Sequence, residues 1–198
     1  MDTARDKNGK TEAEFLRDYD VTKYFRPSVT VDAVLFCRTE RGIKLLMIER
    51  GGHPYLGMYA FPGGFVDSDE PCEVAASREL MEETGITDVK LRQLITASTP
   101  GRDPRWRNIT VVFAAETDRP IKATAGDDAA KAKWFDVAFD GEIMRFSAAG
   151  ERFTCTLSVV RDAFGMTDLN KTTIVKRGKI AFDHAKIISY LFDVLRGE

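Results

Sequence analysis

The sequence predicts an α+β fold, because strand-like segments are joined by hairpins and do not alternate regularly with helices. Residues 29–36 are rich in β-branched residues, and residues 43–48 form a second apolar run after a turn at residues 39–42, so the two runs predict a hairpin. The last segment of the chain instead has helical periodicity. At 198 residues the chain is long enough for one domain with a sizeable core and short for two.

Composition and charge exclude several classes of protein. Apolar residues make up 43% and charged residues 30% of the chain, as is ordinary for a globular protein. The net charge of −2 and the lack of a Lys/Arg run argue against nucleic-acid binding. Three widely spaced cysteines fit a reducing compartment, and no apolar run could cross a bilayer. We therefore expect a soluble cytoplasmic protein that binds neither nucleic acid nor membranes.

The chain is expected to divide into a short leader and one domain. Residues 1–23 are predicted to be a polar leader with a short helix, and residues 24–198 the domain. The Thr-x-x-Glu pattern at residues 11–14 is a capping box. The helix that follows it should carry Phe15 and Leu16 towards the rest of the fold.

The remaining elements are predicted from apolar runs and turn residues. The segment 142–180 reads as an added hairpin region that a minimal version of such a domain would lack, with a further strand within residues 172–180. Asp183 is expected to cap the final helix, whose apolar positions recur at helical spacing and should pack on the core. Other strands are predicted over residues 89–98, 108–115 and 134–135.

A helix within residues 63–86 is the most informative element. Asp69 or Ser68 can cap its first turn, Pro71 suits its first positions, and Gly85 supplies a left-handed end. The apolar residues expected to face the core are Val74, Ala75 and Leu80.

Three carboxylates of this helix, those of Glu79, Glu82 and Glu83, share one face because they lie at i, i+3 and i+4. Their mutual repulsion would be offset by Mg²⁺, which takes oxygen ligands and bridges carboxylates to phosphates. Gly63 lets the backbone approach closely, so its carbonyl could add a ligand. The alternative is an ordinary solvated acidic surface.

The spacing of the stretch resembles the Nudix box at every specified position: Gly64, Glu70, residues 78–80, residues 82–83 and residues 85–86. The resemblance implies a mixed sheet sandwiched between helices. It also implies a hydrolase that uses Mg²⁺ or Mn²⁺ to cleave a nucleoside diphosphate linked to another group. In that family the arginine at the position of Arg78 orients a metal-binding glutamate.

Arginines in loops near the box are candidates for binding the substrate's phosphates, because guanidinium groups meet phosphate oxygens bidentately. They are Arg50, Arg102 and Arg105. Simple solvent exposure is the alternative for each. Tyr55 and Trp106 could stack on an adenine ring, although core or loop anchoring is the commoner role of aromatic residues.

The sequence does not identify which residue is the general base. Glu82 or Glu83 could serve within the box. Outside it, Asp127 and Asp128 form a tight acidic pair, and paired carboxylates can hold a raised pKa that suits base chemistry. A turn or a helix cap is an equally good reading of that pair.

Several stretches outside the box resemble the ADP-ribose pyrophosphatase branch of the Nudix family, namely residues 26–32, 101–105, 125–129 and 181–184. This resemblance implies Mg²⁺-dependent hydrolysis of ADP-ribose to AMP and ribose 5-phosphate, with Arg26 among the substrate-binding residues. It also implies a homodimer.

Two alternatives remain open at this level. The same loops resemble Nudix-related transcriptional regulators that sense ADP-ribose, although the catalytic box is intact and no basic recognition helix is visible. A housecleaning pyrophosphatase acting on NADH, a nucleotide sugar or a damaged nucleoside triphosphate is the second alternative.

Overall fold

The computed structural model describes residues 4–40, 42–123 and 132–197. Within these ranges one sheet is flanked by helices, and none of the helices there is long and apolar enough to span a lipid bilayer. The helices are α1 (Glu12–Arg17), α2 (Cys72–Thr84) and α3 (His184–Arg196). The strands are β1 (Ser28–Thr39), β2 (Gly42–Glu49), β3 (Tyr59–Ala60), β4 (Gly63–Phe65), β5 (Arg92–Ala97), β6 (Asn108–Glu116), β7 (Ala132–Phe139), β8 (Ile143–Ala148), β9 (Glu151–Ser158) and β10 (Thr173–Lys176).

The sheet is mixed, with strand order β10-β9-β8-β7-β2-β1-β6-β5. The central strand β1 pairs in parallel with β6, whereas β1 and β2 form the predicted antiparallel hairpin. Two short strands complete the centre, since β3 pairs with β2 and β4 pairs with β1. The predicted α+β class is confirmed.

Helices cover both faces of the sheet, as the alternation of side chains along β1 shows. Val34 belongs to a buried cluster with Ile188 and Leu191 of α3. The next residue, Leu35, belongs to a different cluster with Leu80 of α2. The predicted sandwich of a mixed sheet between helices is therefore confirmed, with α2 and α3 on opposite faces.

The hairpin predicted near the C-terminal end is present as β8 and β9. It extends the main sheet, because β8 pairs with β7. The strand expected within residues 172–180 is β10, which is shorter and pairs with the outer edge of β9. Whether segment 142–180 is an insertion, and whether the domain begins at residue 24, stay predictions.

The capping box of α1 is present, with Thr11 and Glu14 exchanging side-chain and backbone hydrogen bonds. The expectation that this helix carries apolar residues to the fold is wrong. Phe15 is 46% exposed and Leu16 63% exposed. A six-residue helix that buries none of its residues derives its order from its caps and local ion pairs.

The ends of α2 follow the prediction at one terminus only. Gly85 ends the helix in the left-handed conformation, with φ 69°. The start differs, because Pro71 itself is the N-cap and no side chain caps the first turn, so the role predicted for Ser68 or Asp69 is wrong. Val74 is 51% exposed, contrary to the prediction that it faces the core. The buried stripe of α2 passes through Ala75 and Ala76 instead. That stripe consists of Ala75, Ala76, Leu80 and Thr84.

Candidate functional site

A pocket of about 210 Å³ lies where β1 and β4 meet the loop after β5 and the start of α3. Three of the four arginines predicted to bind substrate line it: Arg50, Arg102 and Arg105. Arg26 is not among its lining residues, and its guanidinium donates a hydrogen bond to the Val21 carbonyl. The other lining residues are Thr30, Val31, Asp32, Ala60, Phe61, Gly63, Gly64, Phe65, Asp103, Thr110, Phe182 and His184.

Arg102 is buried at the pocket wall and is held by two partners. Its Nε and Nη2 donate to the Asp183 carboxylate at 3.0 and 2.7 Å, and Nη1 donates to the Thr110 hydroxyl. Asp183 is at the N-cap of α3 but makes no side-chain cap. The predicted capping role of this side chain is therefore wrong, because the carboxylate is engaged by Arg102.

Arg105 is neutralised by a carboxylate of its own loop. Its Nη2 and Nε donate to Asp103 at 2.7 and 3.1 Å, and the Asn108 amide donates to the same carboxylate at 2.7 Å. Desolvation alone would raise the pKa of Asp103, but the hydrogen bonds from Arg105 outweigh it and lower that pKa. The guanidinium also lies 5.5 Å from the ring centre of Phe65.

Arg50 is the pocket arginine that no described carboxylate pairs with. Its Nε donates to the Pro54 carbonyl at 2.7 Å, which leaves its terminal nitrogens available. Burial lowers the pKa of Arg50, and the nearby positive charge of Arg105 lowers it further. An approaching anion would relieve both penalties.

Phe182 brings two of the arginines together. Its ring centre lies 4.8 Å from the guanidinium carbon of Arg50 and 5.6 Å from that of Arg105. Tyr55 packs edge-on against the same ring at 4.9 Å. Phe182 has a φ of +47°, which is unusual for a residue other than glycine. Sequence reasoning missed this residue, because nothing in its neighbours indicates that two distant loops converge on it.

Asp32 and His184 form the floor of the pocket. The Phe61 backbone N–H donates to His184 Nδ1 at 3.1 Å, which leaves Nε2 facing Asp32 Oδ2 at 3.6 Å. Burial raises the pKa of Asp32 to about 7 against the opposing effect of Arg102, and burial lowers the pKa of His184. The sequence did carry a signal for Asp32, since it is an acidic residue within an apolar strand.

Arg78 organises the acidic face of α2. Its guanidinium donates to Glu70 at 2.7 Å, to Glu79 at 2.8 Å and to Glu82 at 3.1 Å. The hydrogen bonds to Glu70 and then Glu79 raise the pKa of Arg78. Glu83 accepts a hydrogen bond from the Gly63 backbone N–H at 2.8 Å. The predicted face exists, and the arginine predicted to orient a glutamate contacts two of its three members.

Gly63 and Gly64, at the start of the box, are required by close packing. A Cβ at Gly64 would lie 2.3 Å from Glu79 Oε1, and a Cβ at Gly63 would lie 2.1 Å from the Val31 carbonyl oxygen. The Glu79 carboxylate therefore sits directly against the backbone of β4. Both glycines also line the pocket, whereas Glu79, Glu82 and Glu83 do not, so Glu79 approaches the pocket from behind the Gly64 backbone.

The donor set suits a hard divalent cation, because carboxylate and carbonyl oxygens are the ligands that such ions prefer. As the side chains stand, no three His, Cys, Asp or Glu residues within the described ranges are grouped to hold a metal. The Arg78 guanidinium contacts both Glu79 and Glu82. The absence of a side chain at Gly64 nevertheless lets the Glu79 carboxylate lie against the pocket wall. A cation bound there could contact a phosphate in the pocket.

Four candidate residues from the sequence remain, two acidic and two aromatic. Asp127 and Asp128 fall outside the described residues. Trp106 is 63% exposed and its ring packs 5.9 Å from that of Phe25, and Tyr55 packs on Phe182, so neither lines the pocket.

Comparison with known proteins agrees with this geometry. The family model for the NUDIX domain matches residues 26–139. The chain is similar to the ADP-ribose pyrophosphatase of Methanocaldococcus jannaschii, with 39% identity over 125 residues that cover 60% of this chain and 71% of that relative. It is also similar to the ADPR responsive transcriptional repressor NtrR of Acinetobacter baylyi, with 36% identity over 110 residues that cover 54% of this chain and 44% of the repressor.

A solved structure extends the likeness beyond the matched domain. The crystal structure of a MutT/nudix family protein from Enterococcus faecalis is 33% identical, with a TM-score of 0.74, and it covers 96% of this chain and 71% of that chain. The family match spans more than half of the sequence, and the box, the sandwich fold and the pocket beside the box all agree with it. The chain belongs to the Nudix family, as one of its pyrophosphohydrolases.

Proposed function

We propose that this protein hydrolyses ADP-ribose to AMP and ribose 5-phosphate with Mg²⁺ or Mn²⁺. The observation that carries the proposal is the contact between the acidic helix and the pocket. The Glu79 carboxylate lies against Gly64, and Gly64 lines the same pocket as Arg50. A diphosphate at this junction would meet the carboxylates proposed to bind the metal on one side and, on the other, a guanidinium that no carboxylate of the described residues pairs with. The name of the pyrophosphatase relative supports the choice of substrate.

Glu79, Glu82, Glu83 and the Gly63 carbonyl would hold the cation. When bound, it would neutralise the diphosphate and lower the pKa of an attacking water. Arg78 positions Glu79 and Glu82 through its hydrogen bonds. Glu83 is positioned by the Gly63 N–H, so all three carboxylates are oriented by groups of this chain.

In the proposed reaction a water oxygen bonds to one phosphorus atom as the bridging P–O bond breaks, and a base accepts the water proton. Arg50, stacked on Phe182, would bind a phosphate oxygen on the pocket side. Arg102 and Arg105 would act at longer range, because each is already paired with a carboxylate. Glu82, Glu83, Asp127 and Asp128 remain the candidates for the base.

The test is a panel of ADP-ribose, NADH, a nucleotide sugar and oxidised nucleoside triphosphates, each incubated with Mg²⁺ in ¹⁸O-labelled water. Mass spectrometry of the products identifies both the substrate and the phosphorus atom that is attacked. We expect kcat/KM for ADP-ribose to exceed that for every other compound. If another compound is turned over faster, the assignment to ADP-ribose is wrong, and the housecleaning alternative is then favoured.

A second candidate function is that the protein senses ADP-ribose and regulates transcription. The similarity to the NtrR repressor favours it, although the match covers 44% of that protein. A gel-shift assay on genomic fragments at physiological salt, with and without ADP-ribose, tests this directly. Specific binding that ADP-ribose changes would support regulation, and absence of binding would leave the hydrolase as the sole function.

We further propose a homodimer in the cytoplasm. Tyr24, Phe25 and Trp106 are each more than 60% exposed, and such a cluster suits a self-association surface. The described cysteines are free, as expected in a reducing compartment. Analytical ultracentrifugation should find a dimer that Trp106→Ser weakens.

A further inference from the structure

The size of the pocket limits what it can hold. At about 210 Å³ it lies below the roughly 300–1,000 Å³ of sites that enclose a whole drug-sized ligand. It can therefore receive only one end of a dinucleotide-like substrate. The polar groups on its floor then decide which end is buried.

Asp32 is the floor residue with an unused acceptor. It lies in the middle of the central strand, paired with Gly63 of β4 and Val112 of β6, and is 9% exposed. No hydrogen bond to its carboxyl is found within the described residues, and His184 Nε2 lies 3.6 Å from its Oδ2. Because this carboxyl lines the pocket, it can accept hydrogen bonds from a ligand with O–H or N–H groups.

The charges around Asp32 disfavour a phosphate at the floor. Arg102 and Arg105 are each neutralised by an aspartate, through Asp183 and Asp103. A phosphate placed beside Asp32 would meet like charge whenever Asp32 is ionised, with little compensation from the two paired arginines. Arg50 has no carboxylate partner among the described residues, and it stacks on Phe182 together with Arg105. The phosphate is therefore expected beside Arg50, and an uncharged group at the floor.

The hydroxyl groups of Thr30 and Thr110 also line the pocket. Thr30 is two residues before Asp32, on the same face of β1, and its Oγ1 lies 2.6 Å from Thr110 Oγ1. Each threonine hydroxyl has one proton, and their mutual bond uses one of the two. Arg102 donates to Thr110 and supplies no acceptor for the second proton. The floor thus offers a donor beside an acceptor, which matches the neighbouring hydroxyl groups of a sugar ring.

We propose that Asp32 hydrogen-bonds the hydroxyl groups of a ribosyl ring seated on this floor, so that the buried end of the substrate is a sugar and not a phosphate. This inference deepens the proposed function and rests on it for the presence of a ribosyl substrate. Asp32 then acts as a specificity residue that rejects a terminal phosphate and accepts a sugar. The metal-binding face of α2 needs no contribution from it.

The experiment measures binding without turnover. Isothermal titration calorimetry with EDTA present compares ribose 5-phosphate, AMP and glycerol 3-phosphate, the last having a phosphate but no ring. The proteins are the wild type, Asp32→Asn and Asp136→Asn. Asp136 is a matched control, since it pairs with Lys44 at 2.8 Å on the neighbouring strands and does not line the pocket.

We expect the wild type and Asp136→Asn to bind a ribosyl phosphate at least about 10-fold more tightly than glycerol 3-phosphate, since hydrogen bonds to a charged group are worth about 1.5–3 kcal/mol. Asp32→Asn should lose most of this preference. A greater loss for ribose 5-phosphate would place the terminal sugar on Asp32, and a greater loss for AMP would place the adenosine sugar there.

Three results would overturn the inference. They are an unchanged preference in Asp32→Asn, no preference in the wild type, or, in a separate Mn²⁺ titration without EDTA, a weakened affinity of Asp32→Asn for Mn²⁺ with the sugar preference intact, which would make Asp32 a metal ligand. If Asp32→Asn does not fold, Thr30→Val must lose the same preference. These binding measurements involve no hydrolysis, so they can be interpreted even if the protein does not hydrolyse ADP-ribose.

Discussion

Arg102 and Asp183 form a buried ion pair whose side chains are 4% and 7% exposed, with Nη2 donating to Oδ1 at 2.7 Å. The pair joins the loop after β5 to the start of α3. Removal of one partner leaves an uncompensated buried charge, which typically costs about 3–5 kcal/mol.

We therefore expect Arg102→Ala to lower the free energy of unfolding by about 3 kcal/mol or more, measured by urea denaturation. The double variant with Asp183→Leu should recover part of the loss. Lys44→Met, which breaks an exposed pair with Asp136, is the control and should cost less than about 1 kcal/mol. A fully stable Arg102→Ala would contradict the structural role, and KM of any folded variant tests the predicted role in substrate binding.

Glu82→Gln should leave the fold intact and lower kcat. The side chain is 50% exposed and makes no core contact, but it is a predicted metal ligand. A loss of about 3 kcal/mol of transition-state stabilisation corresponds to roughly 100-fold in kcat. Glu73→Gln in the first turn of the same helix is the matched control. A near-normal kcat of Glu82→Gln would show that Glu82 is not an essential metal ligand.

Alanine at the two glycines before α2 should have opposite effects. In Gly64→Ala the new Cβ meets the Glu79 carboxylate, which can swing away, so stability should persist while kcat and Mn²⁺ affinity fall. In Gly63→Ala the Cβ meets the backbone carbonyl of Val31, which cannot move freely. We expect a loss of about 1–3 kcal/mol of stability there. Thermal denaturation and Mn²⁺ binding separate the cases, and equal effects of both variants would refute the distinction.

Phe182→Leu should raise KM with little change in kcat, because the ring supports the guanidinium of Arg50. A cation–π contact worth about 0.5–2 kcal/mol corresponds to roughly 3- to 30-fold in KM. Phe182→Tyr keeps the ring and should behave as the wild type. Phe164→Leu, at a residue that is 89% exposed, controls for loss of a phenyl group. Equal KM values for Phe182→Leu and the wild type would show that the stacking is dispensable.

Glu151 should make stability depend on acid pH. Desolvation alone would raise its pKa, but hydrogen bonds from Lys179, Tyr59 and Lys133 outweigh that effect and lower the pKa to about 2. Because the pKa of Glu151 is lower in the folded than in the unfolded state, its ionised form stabilises the fold. This stabilisation is complete above the pKa of the unfolded state, near 4.5, and is lost as the pH falls towards 2.

The corresponding change in the free energy of unfolding is roughly 2–3 kcal/mol. Urea denaturation at a series of pH values should show this loss in the wild type and a smaller one in Glu151→Gln. Glu142→Gln, at an exposed position in the same hairpin region, should retain the wild-type profile. If the wild type and Glu151→Gln lose the same stability at acid pH, the hydrogen bonds to Glu151 are not the cause of that loss.

The sequence by itself determined the elements whose cause is local. The capping box of α1, the left-handed end at Gly85, the β1–β2 and β8–β9 hairpins and the acidic face of α2 all follow from neighbouring residues and were predicted correctly. Errors arose where a tertiary partner competed. Asp183 was expected to cap α3, but Arg102, 81 residues away along the chain, binds its carboxylate.

Only the tertiary structure decided how the pocket is composed. Periodicity and composition report the environment of a segment, whereas ion pairing depends on residues that meet after the sheet has formed. Arg102 and Arg105 proved to be neutralised and Arg50 to have no carboxylate partner within the described ranges. Phe182 and Asp32 became site residues because strand β1, strand β4 and the start of α3 converge there. The motif thus identified the family and predicts the chemistry of the helix, and the convergence of distant segments determined what surrounds it.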